Sequence, residues 1–315
     1  MQSGLRDGAE YRQIHPVESE APSAMTDEID FNKELTVEYG VAQTVSPLIR
    51  RVIADNPSPF TFKGTGTYLV GRHDVAVIDP GPADPAHLAA LLRALDGATV
   101  RCILVTHTHL DHSPLAGALK AATGAPVLAF GPHPAHGSAG ELGSDTGFVP
   151  DTRLADGTVL TGKGWTLEAI HTPGHASNHL CFALREEGAV FTGDHVMGWS
   201  TSVVSPPDGD MAHYMESLDQ LRRRTEKLYI PSHGPEIADG PGFTRALLGH
   251  RRQREAAILR QLADRPVTVP ELVTLLYRGL DSRLIGAAAR SVLAHLIKLE
   301  AEGKAICIDG AYRAA

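Results

Sequence analysis

The chain has 315 residues, 43% of them hydrophobic, with 29 Lys and Arg against 37 Asp and Glu. That length accommodates one large core plus a small one, and a net charge of −8 argues against a protein that binds nucleic acid over its whole surface. The charge is uneven: residues 1–244 carry 17 basic and 30 acidic side chains, whereas residues 245–315 carry 12 and 7, so a small basic module is expected on an acidic body.

Residues 1–35 open with MQSGLRDGAEYRQIHPVESEAPSAM, which reads as a disordered tail. It lacks the apolar stretch of a secretory signal, and Met25 is a second candidate start. Strand-like runs follow: VAQTV (Val41 to Val45), LIRRVIA (Leu48 to Ala54), TYLVG (Thr67 to Gly71) and VAVIDPG (Val75 to Gly81). Asn-Pro-Ser-Pro and Gly-rich breaks separate them, which predicts an opening antiparallel sheet. Asp84 and Pro85 then read as an N-cap and first helical residue. Leu88, Leu91, Leu92 and Leu95 recur at helical spacing, and Gly97 ends that helix. The strand RCILV comes next, then THTHLDHS, with Ser113 and Pro114 as a second cap and N1 pair before a helix bearing Leu115 and Leu119. PVLAF is a strand, and the Gly-, Pro- and Asp-rich residues 131–158 predict a loop long enough to rim a site.

The second half repeats this logic. WTLEAIHTPGH, HLCFAL and AVFTGDH are strands running into turns. Asp210 caps a helix with Met211, Tyr214, Met215, Leu218 and Leu221 on one face, a core stripe. LYIPSHGP is a last strand ending in a His turn. Strand–helix alternation occurring twice predicts two β-rich halves face to face with helices outside. From Pro241 the chain turns helical; Thr268-Val-Pro-Glu271 is a capping box, and KAICIDGAYRA is a hairpin turning at Asp309-Gly310. Three helices and a hairpin form a winged-helix pattern. Cys102, Cys181 and Cys307 each sit in an apolar run and read as small buried hydrophobes. So sparse and odd a set suits a reducing compartment, no apolar run is long enough to cross a membrane, and a cytoplasmic location is expected.

The chemistry concentrates in THTHLDHS. His107, His109, Asp111 and His112 crowd one turn between a buried strand and a helix. No core needs four such groups, and imidazole and carboxylate are standard ligands of zinc and similar ions. Four groups on one loop cannot all close on one ion. His175 in HTPGH, Asp194 in FTGDH and His233 in PSHGP complete the set, each at or just beyond a strand end beside Gly or Pro.

HTHLDH, TPGH, GD and the late strand-end His, in this order between Pro57 and Gly240, resemble the metallo-β-lactamase superfamily. The resemblance implies a four-layer αβ/βα sandwich and a dinuclear centre of two divalent ions, with Zn2+ the leading choice and Mn2+ or Fe2+ the others. It implies that His107, His109 and His175 hold one ion, that Asp111, His112 and His233 hold the other, and that Asp194 bridges both. Asp79 in VIDPG matches an aspartate that supports the ligand loop without binding metal. NPSPFTFKGTGTYLVG, HTPGHASNH, HRRQREAAIL and AHLIKLEAEGKA resemble the β-lactamase-like protein 2 group, which appends a winged helix. Gly66 stands where that group has Asn. The expected organisation is a tail over 1–35, a metallo-β-lactamase hydrolase domain over 36–240 and a winged-helix-like domain over 241–315.

The expected activity is hydrolysis by a metal-bridging hydroxide, with Asp111 and His179 as catalytic residues. His179, four residues beyond His175, is a candidate donor or proton shuttle, weighed evenly against a supporting role. His171 and His195 are expected to support ligands, His133 and His136 lie in the rim loop, and Trp199, Ser200 and Thr201 are candidate pocket residues. The resemblance to the β-lactamase-like protein 2 group implies cleavage of single-stranded RNA, the leading substrate reading, in which the basic module would neutralise phosphates. Hydrolysis of an ester, thioester or lactone, as in glyoxalase II, is the alternative. A mononuclear iron persulfide dioxygenase and a winged-helix DNA regulator with a vestigial core are the readings from other classes. The expected partners are a small-molecule ester or thioester or an RNA substrate, no membrane, and a second copy of the chain through the winged helix.

Overall fold

Strand pairing follows the apolar pattern. The computed structural model describes residues 29–134 and 143–315. Its first sheet runs in the order β1 (Gln43–Thr44), β2 (Ile49–Ile53), β3 (Gly66–Val70), β4 (Asp74–Ile78), β5 (Thr99–Leu104), β6 (Val127–Ala129) and β7 (Thr152–Arg153). β1 to β4 pair antiparallel, as their turn-rich breaks predict, and β4 to β7 pair parallel. The parallel steps need crossovers. The first two are built on α1 (Pro85–Ala94) and α2 (Ala116–Thr123). The second sheet has the order β12 (Leu228–Pro231), β11 (Ala189–Gly193), β10 (Leu180–Leu184), β9 (Trp165–His171) and β8 (Val159–Gly162).

Three cores explain the layers. Tyr68, Ile78 and Leu104 of the first sheet meet Trp165, Leu167 and Phe182 of the second in a core between the sheets. Leu91 and Leu119 of the helices pack on the outer face of the first sheet with Val77 and Ile103. Outside the second sheet lie α3 (Met211–Leu221) and α4 (Gly240–Leu262), where Tyr214 and Leu247 pack with Ile170 and Tyr229. This is a four-layer αβ/βα sandwich. Central strands such as β3, β10 and β11 are buried at every position, because both of their faces are covered. Met211, Tyr214, Met215, Leu218 and Leu221 are all buried, so the Met/Tyr stripe is core.

The winged helix comprises the end of α4, α5 (Val269–Leu276), α6 (Ile285–Ala301) and the hairpin of β13 (Ala305–Ile308) and β14 (Ala311–Ala314). Glu271 accepts the Thr268 backbone N–H at 2.8 Å, closing the capping box. Asp309 and Gly310 both take positive φ, the backbone of a tight hairpin turn. The 240/241 boundary falls at the start of a helix that serves both parts. Leu247 and Leu248 of α4 join the sandwich core, whereas Ile258 and Leu262 join the winged-helix core.

Four expectations are corrected. Residues 1–28 lie outside the described residues, but 29–35 are pinned rather than free: Phe31 packs edge-on to Phe243, and Asn32 N–H donates to Gly198 O at 3.0 Å. Ser113 does not cap α2, because its hydroxyl is drawn to Asp145 at 2.7 Å and the helix starts at Ala116. Cys307 is exposed, unlike Cys102 and Cys181, because on the wing only one face is packed. The rim segment is not all loop, since it contributes β7; its residues 135–142, with His136, lie outside the described residues. Among the described residues no helix is long and apolar enough to cross a membrane.

Candidate metal centre

Each sequence-nominated ligand follows the C-terminal end of a strand. The turn after β5 carries His107, His109, Asp111 and His112; the turn after β9 carries His175; Asp194 follows β11 and His233 follows β12. Glycines allow the chain to turn this tightly. Gly174 has φ +136°, and a Cβ there would lie 2.3 Å from the Tyr214 backbone.

The seven side chains converge in two groups, His107, His109, His175 and Asp194 in one and Asp111, His112 and His233 in the other. In the first, His107 Nε2 and His175 Nε2 lie 2.8 and 3.2 Å from His109 Nδ1, and His175 Nε2 lies 3.7 Å from Asp194 Oδ2. In the second, Asp111 Oδ2 lies 3.2 Å from His112 Nε2 and 3.1 Å from His233 Nε2. Asp194 Oδ1 lies 3.6 Å from His112 Nε2 and 3.2 Å from His233 Nε2. One carboxylate oxygen of Asp194 therefore faces each group.

These atoms fit a pair of cations. Zinc–nitrogen bonds of 2.0–2.1 Å in a tetrahedron put ligand atoms about 3.3 Å apart, which matches the spacings above. Unprotonated imidazole nitrogens at 2.8 Å repel each other unless positive charge lies between them. His112 Nε2 and Asp194 Oδ1 are buried without a hydrogen-bond partner, the signature of atoms reserved for another ligand.

Surrounding groups set which imidazole nitrogen points inward. His112 Nδ1 donates to Asp79 Oδ2 at 2.9 Å, and His175 Nδ1 to Val203 O at 2.6 Å. His233 Nδ1 faces Gly64 O at 3.3 Å, and His107 Nδ1 faces Thr106 Oγ1 at 3.0 Å. In each case Nε2 is the nitrogen turned toward the site. Asp79 is fully buried and sits at φ +50°. Besides His112 it accepts Thr106 N–H and Thr106 Oγ1, both at 2.8 Å, and Ser232 Oγ at 2.9 Å. It thus ties together the ends of β4, β5 and β12 and touches no ligand group directly except His112.

The electrostatics divide the histidines. Burial and then the neighbouring imidazole of His175 push His109 down to about 3. Burial and the same crowding hold His107 well below its ordinary value. Burial also opposes charge on His233, but Asp194 and Asp111 outweigh it and raise that imidazole to about 10. Asp111 and Asp194 are held well below the usual carboxylate range, where the charges of His112 and His233 overcome their burial. Both carboxylates are therefore anionic at neutral pH.

His179 does not reach the open side of the site. It is fully buried; its Nδ1 faces Thr172 Oγ1 at 2.9 Å, and its Nε2 accepts Asp194 N–H at 3.3 Å. Spacing of four carried no meaning here because the intervening residues form a turn and not a helix. His195 is also fully buried, with its ring against Tyr214. His171 stacks on Phe130 with centroids 4.0 Å apart. His133 Nδ1 lies 3.0 Å from Thr108 Oγ1, which also accepts Asn178 Nδ2 at 2.9 Å, so both brace the ligand loop. Trp199 stacks on Phe62 at 4.9 Å. Sequence reasoning missed Thr106, Asn178, Ser202 and Ser232. Ser202 Oγ donates to Asp194 O at 2.6 Å. Three of the four lie within, or directly beside, a ligand motif, which is the signal that was there to read. Gly66 donates its N–H to Ser232 O at 2.8 Å, and a Cβ there would meet Arg51 and Tyr68 at 3.2–3.3 Å, so a larger residue would crowd both.

The comparisons with known proteins agree with this geometry. Residues 61–233 match the metallo-β-lactamase superfamily, and residues 268–311 match the β-lactamase-associated winged helix domain. The chain is 33% identical over 276 residues to the β-lactamase-like protein 2 homolog of Drosophila melanogaster, covering 84% of this chain and 91% of that protein. It is 31% identical over 281 residues to an atrochrysone carboxyl ACP thioesterase of Claviceps purpurea, covering 86% and 84%. Among solved structures, a metallo-β-lactamase family protein from Thermus thermophilus superposes with a TM-score of 0.70 at 26% identity, over 86% of this chain and all of that one. A β-lactamase domain protein from Burkholderia ambifaria superposes with a TM-score of 0.75 at 23% identity, over 93% and 99%, a likeness of fold. The chain belongs to the metallo-β-lactamase superfamily and is one of its hydrolases, with a C-terminal winged-helix domain.

Proposed function

We propose that this protein is a dinuclear metal-dependent hydrolase of acyl bonds, with a thioester or ester as substrate. The observation that carries the reading is the convergence of seven ligand atoms in two groups that share Asp194. His107, His109 and His175 would hold one divalent ion, Asp111, His112 and His233 the second, and Asp194 both. Zn2+ is the proposed metal, and the N/O ligand set also accepts Mn2+ or Fe2+. When bound, such a pair supplies an acidified water and a positive charge for the oxygen that gains charge.

The chain's own residues prepare that chemistry. Asp79 and the Val203 carbonyl orient His112 and His175, so no reorganisation is needed when substrate arrives. Asp111 is the more exposed ligand carboxylate, its side chain 25% accessible against 11% for Asp194. It is the group placed to take a proton on the solvent side. His179 is a positioning residue, holding the Asp194 backbone through its Nε2.

Relatives named as acyl carrier protein thioesterases over most of both chains support the acyl reading. RNA cleavage rests only on what the motif resemblance to the β-lactamase-like protein 2 group implies. The basic module gives RNA less: Arg265, Arg283, Lys298 and Lys304 are paired with acids, and Arg251 is buried.

The test is turnover by the metal-loaded protein of an N-acetylcysteamine thioester, a labelled single-stranded RNA and a chromogenic β-lactam, with His112→Ala and Asp194→Ala alongside. Thioester hydrolysis lost in both variants is the expected result. RNA cut while the thioester survives would overturn the acyl assignment. One iron per chain with oxygen consumed on a persulfide would overturn the dinuclear one.

A further inference from the structure

A cavity of about 350 Å³ lies where the winged helix meets the sandwich, between the 199–203 loop, α4 and α6. Its lining includes Lys33, Trp199, His250, Arg251, Arg254 and Tyr277, and no carboxylate. Neither arginine is within ion-pair distance of an acid among the described residues. The acid nearest in sequence, Glu255, is already engaged by Lys298 at 2.9 Å and His295 at 3.4 Å.

Arg251 is buried and Arg254 half-buried. Arg251 is 2% exposed; it donates one Nη2 bond to Ser202 O at 2.5 Å and stacks on Tyr214. Arg254 donates Nη1 to Leu276 O at 3.2 Å and lies 4.3 Å from the Tyr277 ring centroid. Both Nε atoms are left buried without a partner, as are Trp199 Nε1 and His250 Nδ1. A buried guanidinium without a counter-ion is costly. Buried Arg251 and half-buried Arg254 beside one cavity, with unpaired N–H donors around it, constitute a built and uncompensated cationic site. Burial, followed by the charges of Arg251 and Arg254, holds His250 down at about 4.

The cavity is coupled to the metal centre by short links. Ser202, whose carbonyl receives Arg251, donates its hydroxyl to Asp194 O. The carbonyl of Val203, another lining residue, orients His175. Trp199 packs on Phe62 and against Gly234, next to His233.

We propose that this cavity binds a small organic oxyanion, a carboxylate or phosphate monoester on an aromatic or apolar body, with Arg251 and Arg254 as its counter-ions and Trp199 and Tyr277 as its walls. Guanidinium groups suit planar and tetrahedral oxyanions because they present paired N–H donors. The site stands independently of which bond the metal centre cleaves.

Direct binding tests it. The chain has two tryptophans. Trp165 is sealed between the sheets, whereas Trp199 lines the cavity, so intrinsic fluorescence reports occupancy. The metal-loaded protein is titrated with phenyl phosphate, benzoate and the neutral benzyl alcohol. Saturable binding of either anion, at least tenfold tighter than the alcohol, is expected, and the two anion arms decide between phosphate and carboxylate. Arg254→Gln should weaken that binding at least tenfold. Should Arg254→Gln melt prematurely, Thr201→Glu, which places a carboxylate on the cavity wall, should abolish it. The same affinity after chelation of the metals separates this site from anion capture at the metal centre. No saturable anion binding, binding equal to that of benzyl alcohol, or binding that disappears with the metals and ignores both substitutions would overturn the proposal.

Discussion

Asp79→Asn isolates the contribution of a single buried carboxylate to the metal centre. Asn has the size of Asp and tolerates the left-handed backbone that Asp79 adopts at φ +50°, so the perturbation is chemical and not steric. Asp79 Oδ1 accepts the Thr106 N–H, while Oδ2 accepts Thr106 Oγ1, Ser232 Oγ and His112 Nδ1. An amide can present its oxygen to only one of these clusters. Retaining the Thr106 N–H places the NH2 group opposite three donors. The two hydroxyls can rotate and accept, but His112 can accept only by moving its proton to Nε2, the atom that faces Asp111 and Asp194. The second ligand group would then lose a lone pair. Loss of a charge-assisted bond costs roughly 1.5–3 kcal/mol, and disrupting such a supporting partner lowers metal affinity about 10–100-fold. Metal counting across a zinc dilution series is the assay. One ion per chain is expected at free zinc levels where the parent retains two, with hydrolysis reduced in parallel. Two ions held at parental affinity, with parental activity, would refute the tautomer argument.

Other variants separate position from chemistry. His179→Ala should lower kcat through a displaced Asp194 while leaving the shape of the pH–rate profile unchanged; loss of one limb of that profile would restore His179 as a proton shuttle. Gly193→Ala places a Cβ 2.4 Å from His179 Nε2 at φ +52°, so metal content and activity should fall together, and a variant with parental metal content would contradict the packing. The His87 imidazole is lowered by burial to about 4 and faces Thr67 Oγ1 at 2.8 Å. A base depressed in the fold leaves the unfolded chain binding more protons between about pH 6.5 and 4, so stability is lost as pH falls through that window. The loss reaches about 3 kcal/mol for this group. Urea midpoints at about pH 7 and 4.5, which span most of that window, should therefore converge in His87→Gln relative to the parent, and equal slopes in both proteins would remove His87 from the account.

The sequence by itself determined the ligand chemistry, the strand ends that carry it and much of the fold. THTHLDHS, HTPGH, FTGDH and PSHGP each place His or Asp just past an apolar strand, and that relation is set by residues a few positions apart. The Met/Tyr stripe of α3, the Thr268–Glu271 capping box and the Asp309–Gly310 turn were equally local, each a matter of a few residues. What lay beyond the sequence was every relation closed across the sandwich. Asp79 meets Ser232 over 153 positions, His175 meets Val203 O over 28, and Arg251 meets Ser202 O over 49. Those contacts decide which imidazole nitrogen faces inward, and that Arg251 points into a cavity and not into solvent. His179 shows the limit most plainly. Its distance from His175 along the chain suggested a second functional imidazole, yet the turn leading into β10 carries it inward beneath Asp194. Local pattern determines which groups are available at a strand end; only the packing of the two sheets and the winged helix selects which of them face the site, because that choice depends on what covers the other side.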